Sequence, residues 1–135
     1  MQFVFLLALL LPAHAQMMGG VSEVTSFDKG SENYNKALEA VKLFNEQQTD
    51  RKYVMALKEI LSMQSQVVSG TKYIIDASLG ESRACAVEAI RSMSIGDLAK
   101  CEVDETTALQ TWHLEVVNVP WRTPKWTLIS STLSE

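Results

Sequence analysis

The sequence contains few of the side chains that usually carry catalysis or bind metal ions. Of its 135 residues, only two are cysteine and two are histidine. Cys85, Cys101 and the distant His113 do not have the spacing of a zinc site. No nucleophile is paired with a base in a recognisable pattern. We therefore expect no metal ion, no cofactor and no enzyme activity.

Positive charge is also scarce. The chain has 12 Lys and Arg residues against 16 Asp and Glu residues, a net charge of −4. This balance argues against a nucleic acid or an anionic membrane as the partner. No Asn-x-Ser/Thr triplet is present, so we expect no N-glycosylation. The length and the 47% content of hydrophobic residues suit one globular domain with a modest core.

The longest apolar run, residues 3–11, is too short to span a bilayer. Pro12 follows it, and Ala13-His14-Ala15 then forms an A-x-A cleavage pattern. No Lys or Arg precedes the run, which leaves the α-amino group as its positive charge. We expect residues 1–15 to be a secretory signal peptide, and residues 16–135 to form one secreted, extracellular domain.

Secretion determines how the two cysteines are interpreted. In an oxidising compartment, a pair of cysteines in a small domain is typical of a disulfide. Fifteen residues separate Cys85 from Cys101, and closing such a loop stabilises the fold by about 3 kcal/mol in the chain-entropy account. A reactive thiol is the alternative, but only His113 would remain in the mature chain to activate it.

One long helix is predicted over residues 33–49. Ser31 is suited to the N-cap and Glu32 to the first turn. Apolar residues recur at helical spacing on one side, a stripe as wide as a helix lying across a sheet requires. They are Tyr34, Ala37, Leu38, Val41 and Phe44.

A β-hairpin is predicted over residues 52–79, with its turn in Gln66-Val67-Val68-Ser69-Gly70. Two apolar, β-branched runs meet at a Ser-Gly pair, and glycine readily adopts the positive φ of such a turn. Two valines so close to the turn have two interpretations. Either they contact a partner, or one faces the core and the other continues the strand.

The remaining segments complete a small sheet. Residues 21–27 suit an edge strand, and residues 106–119 and 125–133 suit two further strands. His113 falls among polar neighbours, as a half-exposed structural residue would. Residues 80–105, which hold both cysteines, are predicted to form an insertion outside the sheet, with a short helix that Gly96 ends.

Residues 120–124 separate the last two predicted strands, because Pro120 and Pro124 bound a turn. Trp121 lies at the tip of this turn, where a large apolar ring is unfavourable in water. It either folds back on the sheet or serves as an anchor that contacts a partner.

Three features in this order resemble the secreted cystatins called type 2. They are Gly19, the Q-x-V-x-G motif at residues 66–70, and the Pro120-Trp121 pair. The similarity spans residues 17–133. It implies an α+β fold in which a five-stranded antiparallel sheet wraps around one long helix.

The resemblance also implies a function, namely reversible, tight-binding inhibition of papain-like cysteine peptidases such as cathepsins by wedge-like occlusion of the active-site cleft. The alternative is a secreted protein of the same fold that binds a partner without inhibiting a peptidase. A monomer is expected, with a domain-swapped dimer as the other option. The implied peptidase-binding residues are Met17, Met18, Gly19, Gln66, Val67, Val68, Ser69, Gly70, Pro120 and Trp121.

The sequence departs from the family pattern in two places. Cys85 and Cys101 match the first disulfide of type 2 members, but Trp112 and Leu133 stand where the second is expected, so an apolar contact would replace it. Members that also inhibit legumain carry Ser-Asn-Asp where this chain has Gln48-Thr49-Asp50. We therefore do not expect inhibition of legumain.

Overall fold

The computed structural model describes residues 20–48 and 50–134. The predicted signal peptide, Met17, Met18, Gly19 and Thr49 lie outside the described residues. The described strands form one five-stranded antiparallel sheet in the order β1-β2-β3-β4-β5. Their bounds are Val21–Glu23 (β1), Tyr53–Val68 (β2), Gly70–Ala86 (β3), Gln110–Asn118 (β4) and Trp126–Leu133 (β5).

The predicted helix is present as α1, Glu32–Glu46. Ser31 caps it, because its hydroxyl oxygen accepts a hydrogen bond from the Tyr34 N–H at 3.1 Å. The helix ends three residues earlier than predicted. The Gln47 and Gln48 N–H groups donate to the carbonyls of Phe44 and Asn45, which tightens the chain into a turn instead of continuing the α-helical pattern.

The core lies between one face of α1 and one face of the sheet. Phe44 is fully buried, and its ring centroid lies 4.6 Å from that of Trp112 on β4. Burying each large apolar side chain contributes roughly 1.5–3 kcal/mol, so this contact fixes how the helix lies across the strands. The other helix residues in the core are Ala37, Leu38, Ala40 and Val41.

A buried asparagine, Asn45, ties the helix to the sheet. Its side-chain amide donates to the carbonyls of Val41 and Met55, at 2.8 and 2.9 Å. Its side-chain oxygen accepts from the Met55 N–H at 2.7 Å. Because Asn45 is only 1% exposed, these bonds satisfy polar groups that water does not reach.

The prediction that the hairpin ends at residue 79 and that the insertion begins at Gly80 is wrong, because β3 continues to Ala86. Gly80 pairs with Ala56 in the middle of the hairpin. A Cβ at Gly80 would meet the side chains of Val103 and Leu109. The glycine therefore lets the insertion pack against the strand, and it does not terminate the strand.

The insertion occupies residues 87–109, between β3 and β4. It contains a 3₁₀ helix, Val87–Ser92, and a second α-helix, α2, Ile95–Ala99. Gly96 lies inside α2, so the prediction that it ends a helix is wrong. Ser94 and Asp97 form a capping box that starts α2 at this point. The expected disulfide joins Cys85 to Cys101, with their Cα atoms 6.1 Å apart.

The last two predicted strands are present as β4 and β5, and buried and outward-facing residues alternate along β4. Leu114 and Val116 are buried, whereas His113 and Glu115 face outward and are partly exposed. Trp112 and Leu133 lie directly opposite each other across β4 and β5, as expected of an apolar pair in place of a second disulfide. β4 starts at Gln110, later than predicted, because Asp104 turns the preceding chain by accepting hydrogen bonds from Thr106.

None of the described helices has the length and apolar character that would let it cross a membrane.

Candidate functional site

The strand register brings three segments to one end of the sheet. Val21, at the start of β1, lies opposite Gln66 near the end of β2. Thr71, at the start of β3, lies opposite Asn118 at the end of β4, and Asn118 lies opposite Trp126. We call this end the loop edge. It comprises the β2–β3 turn (residues 66–71), the β4–β5 turn (residues 118–126) and the start of β1.

The first turn presents apolar side chains to solvent. Val67 is 70% exposed and Val68 is 44% exposed, so the alternative in which one valine faces the core is wrong. Gln66 is half-buried and pairs across the hairpin with Lys72. A large exposed apolar side chain gains roughly 1.5–3 kcal/mol when a partner buries it, which makes this turn a candidate contact surface.

The second turn presents a tryptophan. Trp121 is 70% exposed, so the alternative in which the ring folds back on the sheet is wrong. The turn backbone is held by hydrogen bonds from the Val119 N–H to the Lys125 carbonyl at 2.7 Å, and from the Arg122 N–H to the Val119 carbonyl at 3.0 Å. Trp121 therefore projects from a hydrogen-bonded turn.

The two turns touch each other at a glycine. Gly70 has a φ of +104°, and a Cβ at this position would overlap the backbone carbonyl oxygen of Asn118 and lie 3.0 Å from a methyl carbon of Val119. Val119 is only 6% exposed. The positive φ was expected for a hairpin turn, but the sequence does not reveal that the same glycine permits the second turn to pack beside the first.

A polar network lies on the outer face of the sheet, centred on the pair of His113 and Asp76 in the middle of β4 and β3. His113 contacts Asp76 through Nδ1 at 2.8 Å and Glu115 through Nε2 at 2.9 Å. Lys72 forms an ion pair with Glu115 at 2.9 Å, and Ser62 donates to Asp76 at 2.9 Å. These bonds join β2, β3 and β4, and the sequence alone did not predict them.

The electrostatics of this network follow from its contacts. Hydrogen bonds to Glu115 and then to Asp76 raise the pKa of His113 above its usual value. Hydrogen bonds from Lys72 and then from His113 lower the pKa of Glu115. Within residues 20–48 and 50–134, no group of three or more His, Cys, Asp or Glu side chains is placed to hold a metal ion. The network acts as a structural brace, as expected for a half-exposed histidine.

The residues predicted for peptidase binding and those of the disulfide lie toward different ends of the sheet. The structure brings Gln66 to Gly70 together with Pro120 and Trp121 at the loop edge. The disulfide of Cys85 and Cys101 lies toward the other end of β3, at the insertion. A cleft of about 520 Å³, lined by residues that include Asn45, Arg51 and Arg91, also lies away from the loop edge.

A five-stranded antiparallel sheet around one long helix, with two exposed apolar turns side by side, defines a small α+β domain. The family profile described as the cystatin domain matches residues 19–121. This match covers most of the chain, and the chain therefore belongs to the cystatin family.

Sequence relatives agree with this assignment. Cystatin-S of Rattus norvegicus is 28% identical over 116 residues, which cover 83% of this chain and 74% of the relative. A cystatin of Oxyuranus microlepidotus is 31% identical over 116 residues, which cover 84% of this chain and 79% of the relative.

Solved structures show the same fold. The salivary cystatin of the soft tick Ornithodoros moubata matches with a TM-score of 0.65 and 18% identity, covering 87% of this chain and 98% of that one. Dimeric human cystatin F matches with a TM-score of 0.66 and 19% identity, covering 85% of this chain and 86% of that one.

Proposed function

We propose that this chain is a secreted type 2 cystatin that inhibits papain-like cysteine peptidases of the cathepsin type, reversibly and tightly. Residues 1–15 would be its signal peptide and residues 16–135 its inhibitory domain. The observation that carries the proposal is the pairing of two exposed apolar side chains, Val67 and Trp121, each 70% exposed, on turns that touch at Gly70.

The proposed mechanism is occlusion of the active-site cleft by the loop edge. Val67, Val68 and Trp121 would bury their apolar surface in the cleft, on the two sides of the catalytic thiol. The segment before Gly19 would place Met17 and Met18 in the pockets for the non-primed side of a substrate, where flexible methionine side chains fit irregular apolar cavities. Since no peptide bond is presented to the thiol, the inhibitor is not cleaved.

Rigidity supports a tight complex. Ordering loops and side chains on association costs free energy, roughly 0.5–1.5 kcal/mol for each immobilised side chain. Here the turn backbones are already held by the β2–β3 ladder and by the hydrogen bonds of Val119. The close approach of Gly70 to Asn118 fixes one turn relative to the other. The turns therefore need less ordering when the complex forms, and the free-energy cost of association is smaller.

The alternative is a cystatin-fold protein that binds another partner through the same surface and does not inhibit a peptidase. The exposed apolar turns favour a binding surface under either hypothesis. The intact Q-x-V-x-G motif and Pro120-Trp121 pair favour the inhibitor, and we assign no catalytic role to any residue. We propose that the chain acts as a monomer and that legumain is not inhibited, because Thr49 occupies the position of the required asparagine.

A titration of residues 16–135 against papain tests the proposal. We expect loss of peptidase activity at a 1:1 ratio, its recovery on dilution, and an inhibitor of unchanged mass afterwards. Val67→Asp should abolish or strongly weaken inhibition. Ile129→Asp is the matched control, because Ile129 is also exposed, at 54%, but lies within β5. A folded protein that leaves papain fully active would favour the alternative, and a cleaved or covalently trapped inhibitor would contradict the mechanism.

A further inference from the structure

The charge of the loop edge differs in sign from that of the rest of the molecule. Arg122 and Lys125 are the only charged residues in the two turns, residues 66–71 and 118–126. Without them, ten basic and 16 acidic residues remain, a charge of −6 for the rest of the chain. An otherwise acidic protein thus carries two positive charges on the surface that is proposed to bind.

Both cations lack an ion-pair partner among the described residues. Arg122 and Lys125 are exposed, and neither takes part in a salt bridge within residues 20–48 and 50–134. Lys72, the basic residue next to the β2–β3 turn, differs in this respect because Glu115 neutralises it at 2.9 Å. Two unneutralised charges therefore remain on the second turn.

The backbone that carries these cations is held in place. The Arg122 N–H and the Lys125 carbonyl take part in the two hydrogen bonds of Val119 that close the turn. Trp121 directly precedes Arg122 in the same turn, four residues before Lys125, and is 70% exposed. Any partner that buries the Trp121 ring consequently meets the two positive charges carried by the same turn.

Such an arrangement favours an acidic partner at this position. Complementary charge at the rim of an interface mainly raises the association rate and suppresses wrong partners. The surrounding charge of −6 would oppose a polyanion that wraps the whole molecule. It opposes a local acidic patch much less, since charges more than about 10 Å apart are largely screened at 0.1 M salt.

We infer that the peptidases inhibited fastest by this chain carry acidic side chains beside the part of the cleft that receives Trp121, and that Arg122 and Lys125 select them. The inference rests on the proposed function and specifies its partner. The opposite charges of the loop edge and the rest of the chain would also turn the loop edge toward an acidic cleft before contact, a steering effect that weakens as salt is added.

The test compares two papain-like peptidases selected from their structures. One has a net negative charge, and the other a net positive charge, within about 10 Å of the catalytic thiol, the range of one Debye length. Association and dissociation rate constants are measured for residues 16–135 at low and at high salt. The variant is Arg122→Gln/Lys125→Gln. The control is Lys29→Gln/Lys100→Gln, which makes the same change in net charge at two exposed residues outside the loop edge.

We expect the parent to associate faster with the acidic-cleft peptidase, and the loop-edge variant to lose about three- to tenfold in that rate at low salt, with little change in dissociation. The loss should shrink at high salt, and the control should retain the parent rate. Equal effects of variant and control, or a parent rate that is the same for both peptidases, would overturn the inference while leaving the proposed function intact. A parent that inhibits neither peptidase would overturn both.

Discussion

Gly70 lies against the backbone carbonyl of Asn118, so the turn between β2 and β3 packs directly on the end of β4. A Cβ at Gly70 would overlap that carbonyl oxygen, and the φ of +104° is one that residues with side chains rarely adopt. This contact gives the two exposed turns a fixed separation. The glycine of the Q-x-V-x-G motif thus has a structural role that its position in a hairpin turn does not by itself require.

Gly70→Ala should therefore affect both stability and inhibition. The strained φ costs about 1–2 kcal/mol, and displacement of the Asn118 carbonyl adds about 1–3 kcal/mol. Gly30→Ala is the matched control, since Gly30 has a φ of +90° but no atom within 4 Å of an added Cβ. Gly30→Ala should lose only the stability that the strained φ costs, and it should inhibit papain as well as the parent does. Urea melts and papain titrations of both variants make the comparison, and equal losses would exclude the proposed contact between turns.

The fold was predictable from the sequence where local patterns determine it. The cap at Ser31, the helical spacing of Ala37, Leu38 and Phe44, and the presence of strand β4 depend on neighbouring residues, and all were confirmed. The end of β3 was not predictable, because a glycine in this position is typical of a strand end. Only the packing of Val103 against Gly80 shows why a glycine occurs inside the strand. That contact joins residues more than 20 positions apart.

The candidate site was predictable in a different way. Resemblance to a family supplied the motif residues, whereas alternation could not decide whether Val67 or Trp121 was exposed, because both lie where the strand pattern stops. The link from Gly70 to Asn118 and the bonds of Asn45 to β2 arise only when separate segments meet. No periodic signal in the sequence reports them.

Asn45 provides a test of one such contact. Asn45→Ala should lower the free energy of unfolding by about 2–4 kcal/mol, because it leaves the buried N–H and carbonyl of Met55 without their side-chain partner. Asn33→Ala is the control, as Asn33 donates to the Ser26 carbonyl at an exposed position, and it should cost well under 1 kcal/mol. Urea melts measure both, and similar losses would contradict the role of Asn45.

The segment before β1 should contribute to binding without contributing to stability. Gly19 is proposed to let the chain bend toward the non-primed pockets, which glycine permits at low conformational cost. Gly19→Trp should raise the inhibition constant for papain and leave the melting temperature unchanged. The inhibition constant of Gly19→Ala should lie between those of the parent and Gly19→Trp. An inhibition constant for Gly19→Trp equal to that of the parent would remove the segment from the proposed site.

The His113 network predicts a pH-dependent contribution to stability. Because contacts with Glu115 and Asp76 raise the folded-state pKa of His113, protonated His113 stabilises the fold. This contribution is fully present below the unfolded pKa of about 6.5 and is lost as the pH rises through the folded pKa. The pKa of Glu115 is lowered, so its contribution is present above its unfolded pKa and is lost only as the pH falls through the folded one.

His113→Gln should therefore reduce the free energy of unfolding more at pH 5.5 than at pH 9. Ser62→Ala is the control, since it removes the hydrogen bond to Asp76 without removing a titrating group, and its effect should be nearly the same at both pH values. Urea melts at the two pH values give the differences. A parent–variant difference for His113→Gln that does not change with pH would show that the network does not take up a proton.

Substitution of Trp121 distinguishes a structural role from a functional role, because the two roles predict opposite effects on stability and on binding. Trp121 is 70% exposed on a hydrogen-bonded turn, so Trp121→Ala should change the free energy of unfolding by no more than about 0.5 kcal/mol. Binding to papain should weaken by roughly 2 kcal/mol or more, as for an aromatic hot spot. The other two tryptophans are partly buried: Trp112 packs on Phe44, and Trp126 lies 5.9 Å from the ring of Tyr73.

Trp112→Ala and Trp126→Ala therefore serve as controls, and each should lower the free energy of unfolding by about 3 kcal/mol through the cavity it leaves. Urea melts of all three variants are paired with papain titrations of those that remain folded. Only Trp121→Ala should combine parental stability with poor inhibition. If it unfolds early or inhibits as well as the parent, the Pro120-Trp121 turn is not part of the binding surface, and the valines of the first turn would have to anchor the complex alone.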